Sequence, residues 1–302
     1  MRTLAHRSPA RSPQGDRLTI ALVAAFVSLR FGPAPSVTPA AAAPGRMLIV
    51  CAPGYPGDTL LAQPVMDGFA AVAARAARWR PGSLGAIYFE TESAGLARLA
   101  APDAVLAIVP LPFFLKHAAA LNLEPRLEVA TTTGSTETWS LAARRGLLTS
   151  PDGLAGWELT GPAGYAPGFV RGPALGSWGA LPGTARITFS PAVLSSLRRA
   201  ASGEKLAVLL DGAQGAALAS LPFAAGLEII TRSQPLPATL LCTIGARLAR
   251  NDIDHLVKAL REMHRRPEDA EALLSIRIAR FVPCDIPAID AARRAFAAAG
   301  GG

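Results

Sequence analysis

Hydroxyl and glycine residues cluster in short loops that follow predicted strands, and these loops are the parts of the chain best suited to hold a ligand. The six loops are 52–58, 91–93, 110–112, 131–136, 161–168 and 190–191. Backbone N–H groups at a helix start, helped by Ser and Thr hydroxyls, bind oxyanions without a counter-charge. A single such loop is better explained as a helix cap or a turn. Six of them on one edge of a fold indicate a ligand cleft.

No catalytic motif accompanies these loops. The sequence contains no HExxH, GxxxxGK[ST], GxGxxG or GxSxG pattern. His117, His255 and His264 lie on predicted helices with polar neighbours, which favours solvated side chains over a catalytic base. Paired carboxylates are absent from the predicted loops except near Asp152 and Glu158, where nothing singles them out. The sequence therefore favours a binding protein over an enzyme.

Apolar runs of strand length alternate with helical patterns after residue 45. MLIVCA is typical of a strand buried on both faces, and apolar residues recur at helical spacing over 65–79. Ser190 is predicted to cap a helix that Gly203 ends. Further helices are predicted at 267–276 and 287–299. The predicted strands are 47–52, 84–89, 104–109, 127–132, 136–143, 157–161, 184–189, 205–211, 227–232 and 238–245.

This alternation predicts an α/β fold with mostly parallel sheets flanked by helices. Extended segments near 131–140 and 231–238 are predicted to cross between two lobes. Ligands of open α/β sheets sit beyond the carboxyl ends of the strands, so facing lobes predict a cleft that closes about a hinge. The predicted division is a signal peptide and linker at 1–43, a first lobe at 44–135 plus 233–302, and a second lobe at 136–232.

The N-terminus has the pattern of an export signal. A basic leader precedes the apolar run at 18–29, and small residues follow up to Ala42, where a signal peptidase could cleave. Twelve apolar residues are short for a membrane span, which needs about 20. A cleavable signal is therefore favoured over a retained membrane anchor, and the predicted location is periplasmic or otherwise exported.

Charge and cysteine content narrow the possible partners. The formal net charge is +8, about half of it in the leader, and a mildly basic mature protein suits a small anionic ligand. No dense Lys/Arg run with interleaved aromatics supports nucleic-acid binding. Cys51, Cys242 and Cys284 lie far apart in apolar contexts, which favours buried free thiols slightly over one disulfide. Their spacing indicates no metal site.

Four segments, taken in order, resemble the phosphonate-type solute-binding proteins of ABC importers, the PhnD/SsuA/transferrin-like group with the type II periplasmic-binding fold. The segments are AVLAIVPLPFFLKHAAALNLEPRLEVATT, GPAGYAPGFVR, SSLRRAASGEKLAVLLDGAQ and IITRSQPLPATLL. The resemblance spans roughly residues 46–265 and rests on serial order. It implies a monomeric, non-enzymatic protein without a cofactor. Such a protein captures a small anionic ligand, such as a phosphonate or phosphate, between its lobes and delivers it to a membrane permease.

Carried over residue by residue, the resemblance implies eleven ligand-binding positions. They are Tyr55, Thr91, Ser93, Pro112, Phe113, Thr132, Ser135, Thr136, Gly164, Tyr165 and Asp211. The second-lobe loop departs from the family, because Gly164, Tyr165 and Gly168 stand where a Ser/Thr-rich helix start is common. This departure leaves the ligand class open. Two roles are also open for Asp211, which either receives an amine of a zwitterionic ligand or caps the helix that follows.

Two functions of other classes stay open. One is an enzyme on the same fold, as some menaquinone- and thiamine-pathway enzymes resemble this architecture. The absence of a suitable base and the export signal weigh against it, because such enzymes are cytoplasmic. The other is a sensory module that reports ligand occupancy to a partner, and the sequence does not separate sensing from transport.

Export predicts a mature N-terminus near Ala43. Mass spectrometry of the secreted or periplasmic protein should find that terminus, because the small residues before it suit the peptidase. Recovery of the intact chain from the cytoplasm would contradict the predicted location.

Overall fold

Two mixed β-sheets flanked by helices make up the part of the chain that the computed structural model describes, residues 45–300. The predicted α/β class is confirmed. The predicted signal segment lies outside the described residues. Among the described helices, none has both the length and the apolar character needed to cross a membrane. The predicted lobe boundaries stay a prediction.

The first sheet has six strands in the order β13-β4-β12-β3-β1-β2. β1 pairs in parallel with β2 and β3, whereas β12 runs antiparallel between β3 and β4. All seven residues of β3 are buried, as expected for an apolar strand covered on both faces. The strands are β1 (Arg46–Cys51), β2 (Leu84–Phe89), β3 (Ala104–Pro110), β4 (Leu123–Ala130), β12 (Thr239–Ile244) and β13 (Arg280–Pro283).

The second sheet has five strands in the order β10-β6-β9-β7-β8. β7 pairs in parallel with β8 and β9, and β6 pairs antiparallel with β9 and β10. The central strand β9 is buried at every residue. The strands are β6 (Ser140–Arg144), β7 (Glu158–Gly161), β8 (Arg186–Phe189), β9 (Leu206–Leu210) and β10 (Leu227–Arg232).

Two chain segments cross between the sheets and pair with each other. β5 (Thr136–Glu137) and β11 (Leu236–Pro237) form a short antiparallel ladder. Beside it, the Trp139 N–H donates to the Ser233 hydroxyl at 2.9 Å, and the Ser233 N–H donates to the Trp139 carbonyl at 2.8 Å. These bonds fix the two crossing segments against each other.

The helices cover the sheets and also close one side between them. Asp58 caps α1, since its carboxylate accepts from the Leu60 and Leu61 N–H groups. The short α4 continues into one π-helical turn at Val170–Ala174. The helices are α1 (Thr59–Ala76), α2 (Glu92–Leu99), α3 (Leu111–Leu121), α4 (Pro167–Phe169), α5 (Val193–Ser202), α6 (Gly212–Ala217), α7 (Arg250–Glu262), α8 (Pro267–Ser275) and α9 (Ile286–Ala298).

One apolar core extends from the first sheet to the second. It includes Val109 of β3 and Leu209 of β9, both essentially inaccessible to solvent. Between them, the ring of Trp139 packs edge-on against Phe169 with the centroids 5.2 Å apart. Burial of large side chains of this kind, worth about 1.5–3 kcal/mol each, joins the two sheets.

The C-terminal helix α9 follows β13 of the first sheet but also packs on the π-helical turn, which follows the second-sheet strand β7. A Cβ on Gly172 would lie 2.3 Å from the Ala295 carbonyl oxygen, so the two backbones are in direct contact. On the same helix, the Arg293 guanidinium stacks over the Phe114 ring of α3 at 4.9 Å. The helix α9 therefore bridges the elements of both sheets.

Several local predictions differ from the structure. The strand β13 was not predicted, and β4 begins four residues before the predicted start at Leu127. The prediction that Ser190 caps α5 is wrong, because the helix begins at Val193 and the Ser190 hydroxyl accepts from the Ala192 N–H at 3.2 Å. Gly203 ends that helix as predicted, with φ of +104°. All three cysteines are free.

Gly164 is predicted to be intolerant of any side chain. Its Cβ would lie 1.9 Å from the Thr188 carbonyl oxygen of β8, so Gly164→Ala should lower the free energy of unfolding by about 3 kcal/mol. Gly68→Ala is the matched control: this exposed glycine inside α1 has open space around it, and alanine should stabilise the helix by about 0.5–1 kcal/mol. Urea unfolding of both variants tests the difference. Equal stability of the two would contradict the close packing at Gly164.

Candidate ligand-binding site

Loops from both sheets meet where the carboxyl ends of their parallel strands face each other. The loop after β1 touches the loop after β7: a Cβ on Gly54 would lie 2.8 Å from the Pro162 Cβ. Gly54 has φ of +87°, a conformation that glycine adopts readily. Both the backbone angle and the close approach therefore require glycine at this position.

Four polar side chains converge behind this contact. They are Tyr55 from the loop after β1, Glu137 from the crossing strand β5, Tyr165 from the loop after β7, and Asp211 from the end of β9. The pKa of the Tyr55 phenol is raised well above its usual value, first by burial and then by the charges of Glu137 and Asp211. The site therefore holds two carboxyl groups and two phenols drawn from three loops and a crossing strand.

Glu137 has the most perturbed carboxyl group of this set. Burial, followed by the neighbouring Asp211 carboxyl, raises the pKa of Glu137 from 4.5 to about 8. The Gly212 N–H donates to its Oε2 at 3.4 Å. The Trp139 indole N–H faces the same carboxyl and offsets a small part of the rise, but the two groups do not reach hydrogen-bond geometry. Glu137 is therefore mostly protonated at pH 7.

Asp211 caps α6. Its Oδ1 accepts from the Gln214 N–H at 2.8 Å, and the Gln214 side chain accepts from the Asp211 N–H at 3.2 Å, a complete capping box. Burial raises the pKa of Asp211, and backbone N–H groups of the helix start oppose the rise. The capping role is thus confirmed, and it holds the carboxyl beside Glu137.

Three buried polar atoms of the site have no hydrogen-bond partner among the described residues. They are Glu137 Oε1, Trp139 Nε1 and Tyr165 Oη. A buried polar group left without a partner costs about 1–3 kcal/mol, so such groups are rare. Glu137 and Trp139 lie two residues apart, and the charge of Glu137 reaches the Tyr165 phenol, so the three groups border one region that a ligand or ordered water can complete.

Three charged or titratable side chains, Lys116, Glu92 and His117, form a second polar group next to Tyr165. The Lys116 ammonium donates to the Tyr165 carbonyl oxygen at 2.6 Å and to Glu92 at 2.8 Å. His117 Nε2 lies 2.6 Å from the same Glu92 carboxylate, and its side chain is only 15% exposed. His117 is thus more buried than predicted, and it is held by Glu92 and by the Phe113 ring, 4.7 Å away.

The structure brings together three of the eleven predicted ligand-binding residues: Tyr55, Tyr165 and Asp211. Thr136 precedes Glu137 on β5, and the backbone carbonyl oxygen of Ser135 accepts from the Ala238 N–H at 2.9 Å beside the β5–β11 ladder. Whether any of these residues binds a ligand stays a prediction.

The other predicted positions have different surroundings. Pro112 and Phe113 are buried in the core at the start of α3. Thr91 and Ser93 are exposed at the start of α2, and Thr132 is exposed in a turn. The glycine at 164 is accounted for by its contact with β8.

Sequence reasoning missed Glu137 and Trp139. The search for paired carboxylates was confined to the predicted loops, whereas Glu137 and Asp211 lie outside those loops, 74 positions apart, and influence each other in the folded protein. The available signal was position: Glu137 lies in the predicted crossing segment, next to the predicted Thr136. Glu158, by contrast, is engaged by Thr188 and Arg186 on the second sheet.

Comparison with known proteins identifies the fold. No family model and no curated protein matches the sequence. Among solved structures, XAC2383 of Xanthomonas citri bound to chloride is 11% identical, with 85% of this chain and 98% of that chain covered and a TM-score of 0.65. The structure has the type II periplasmic-binding fold.

Two phosphonate-binding proteins share this fold. PhnD1 of Prochlorococcus marinus in complex with methylphosphonate is 12% identical, over 85% of this chain and all of that one, with a TM-score of 0.58. A binding component of an ABC phosphonate transporter from Pseudomonas aeruginosa is 11% identical, over 81% and 83%, with a TM-score of 0.56. The resemblance found in the sequence is thus confirmed at the level of the fold.

The raised pKa of Glu137 predicts a pH-dependent stability. Between pH 4.5 and 8 the unfolded chain ionises Glu137 while the folded protein keeps the proton, so stability falls as pH rises through this window. Relative to Glu137→Gln, the wild type should lose up to about 1.4 kcal/mol per pH unit. Urea unfolding from pH 4 to 9 measures the difference, with Glu124→Gln on the exposed end of β4 as control. Parallel curves for wild type and Glu137→Gln would contradict the buried, protonated carboxyl.

Proposed function

We propose that this chain is an exported solute-binding protein that captures a small ligand between its two sheets and delivers it to an ABC importer. The observation that carries the proposal is the set of three unpartnered polar atoms, on Glu137, Trp139 and Tyr165, beside a second carboxyl group. In this proposal the two sheets are the cores of two lobes, and the ligand enters when the Gly54 and Pro162 loops separate.

Neutral donors would hold an oxyanion of the ligand. The Trp139 N–H and the Tyr165 O–H are free to donate, and a protonated Glu137 adds a third donor through Oε1. Neutral donors bind an anion without the desolvation cost of burying a counter-charge. A phosphonate- or phosphate-like group suits this arrangement, and the phosphonate-binding proteins with the same fold agree with it.

Asp211 would receive a positively charged group of the same ligand. Neither Asp211 nor Glu137 forms an ion pair within the described part of the chain, and both are mostly buried. A buried carboxylate without a counter-charge is costly, and an ammonium group removes that cost. The ligand we propose is therefore a zwitterion with an oxyanion and an amine, such as an aminoalkylphosphonate.

A thermal-shift screen of residues 43–302 tests the ligand class. The panel contains phosphate, methylphosphonate, 2-aminoethylphosphonate, sulfonates and amino acids. 2-Aminoethylphosphonate should raise the melting temperature most, because a ligand at 100 times its dissociation constant adds about 2.7 kcal/mol. Asp211→Asn should reduce the difference between the shifts produced by 2-aminoethylphosphonate and methylphosphonate. Tyr165→Phe should reduce the shifts produced by both ligands. A panel without any shift would contradict the proposed function.

The dependence of affinity on pH tests the role of Glu137. If Glu137 donates to the oxyanion, affinity falls as pH rises above about 8, where this carboxyl loses its proton. Comparison with Glu137→Gln at each pH isolates this effect, because the titration of the ligand itself is common to both proteins. An affinity ratio that rises through pH 8 would assign Glu137 to the amine instead.

A further inference from the structure

A cavity of about 370 Å³ lies at the carboxyl edge of the first sheet and shares Tyr55 with the polar cluster between the sheets. It is bounded by the loop after β1, one face of α1, the ends of β3 and β4, and the turn after α8. None of its lining residues belongs to the second sheet. Its volume is at the lower end of the range for small-molecule sites.

The walls of this cavity are mostly apolar. The large aliphatic side chains that line them are Val50, Val65, Met66, Ile108, Val129, Ile276 and Ile278. Binding of an apolar group in such a cavity is favourable, because water inside it makes few hydrogen bonds. The walls therefore favour a hydrocarbon chain or ring.

One cationic side chain lines the same cavity. Arg277 is exposed and forms no side-chain hydrogen bond or ion pair with any residue from 45 to 300. It follows the C-cap of α8 with φ of +61°, a position and conformation in which glycine is usual. The hydroxyl-bearing residues that also line the cavity are Tyr55, Tyr88, Thr131, Thr239 and Ser275.

We propose that this cavity binds a small amphiphilic acid, with the apolar body between α1 and the sheet and the carboxylate at Arg277. A guanidinium binds a carboxylate through charge-assisted hydrogen bonds, which are stronger than neutral ones. The acidic group near Tyr88, Glu90, accepts a hydrogen bond from Thr59 at 2.9 Å and does not line the cavity. The proposal does not depend on the function of the site between the sheets.

Isothermal titration calorimetry with octanoate and 1-octanol tests the proposal. Octanoate should bind the wild type at one site per chain, about tenfold more tightly than the alcohol. Arg277→Gly should remove this preference and leave octanol binding unchanged, while glycine suits the left-handed backbone and preserves the fold. Ala62→Phe should abolish binding of both, because its ring fills the cavity from α1.

Arg78→Gly is the matched control. Arg78 also follows a helix C-cap, has φ of +58° and is exposed, so the change in charge and backbone is the same. This variant should bind octanoate like the wild type. Equal loss in the two arginine variants, or no binding of octanoate to the wild type, would overturn the proposal.

Discussion

The reciprocal hydrogen bonds between Trp139 and Ser233 determine how the two sheets are joined. They fix the two crossing segments, which carry β5 and β11. The unpartnered atoms Glu137 Oε1 and Trp139 Nε1 belong to residues of the first crossing segment, two positions apart. Because the Trp139 ring also packs on Phe169, the apolar core and the polar site share this residue. The position of the site therefore follows from the same contacts that hold the sheets together.

The polar cluster lowers the stability of the fold, because some of its buried polar groups have no hydrogen-bond partner. Burial, and then the neighbouring Asp211 carboxyl, raises the pKa of Glu137 to about 8, so this group keeps its proton into the neutral range. Leaving three polar atoms without partners adds a further cost. Natural proteins retain such violations mainly at functional sites, where a bound molecule relieves them.

Strands with continuous apolar runs could be predicted from the sequence, and β2 and β10 have the predicted bounds. The strand β13 could not, because RFVP has only four residues and depends on pairing with β4. The pairing of Glu137 with Asp211 depends on tertiary structure in the same way. Positions just after predicted strands included Tyr55, Tyr165 and Asp211, which the structure brings together. They also included Pro112 and Phe113, which are buried in the core.

The helix α9 makes a third physical connection between the two halves of the molecule. A hinge made of two paired strands can bend with little change elsewhere. Here a separation of the sheets, as proposed, would also move the α9 backbone against the π-helical turn at Gly172, where the Ala295 carbonyl and the Ala299 methyl pack directly on the glycine. Relative motion therefore combines bending with shear, and packed helices slide by small amounts. An opening of the proposed kind would therefore be narrower and more concerted than one that bends only the two crossing strands.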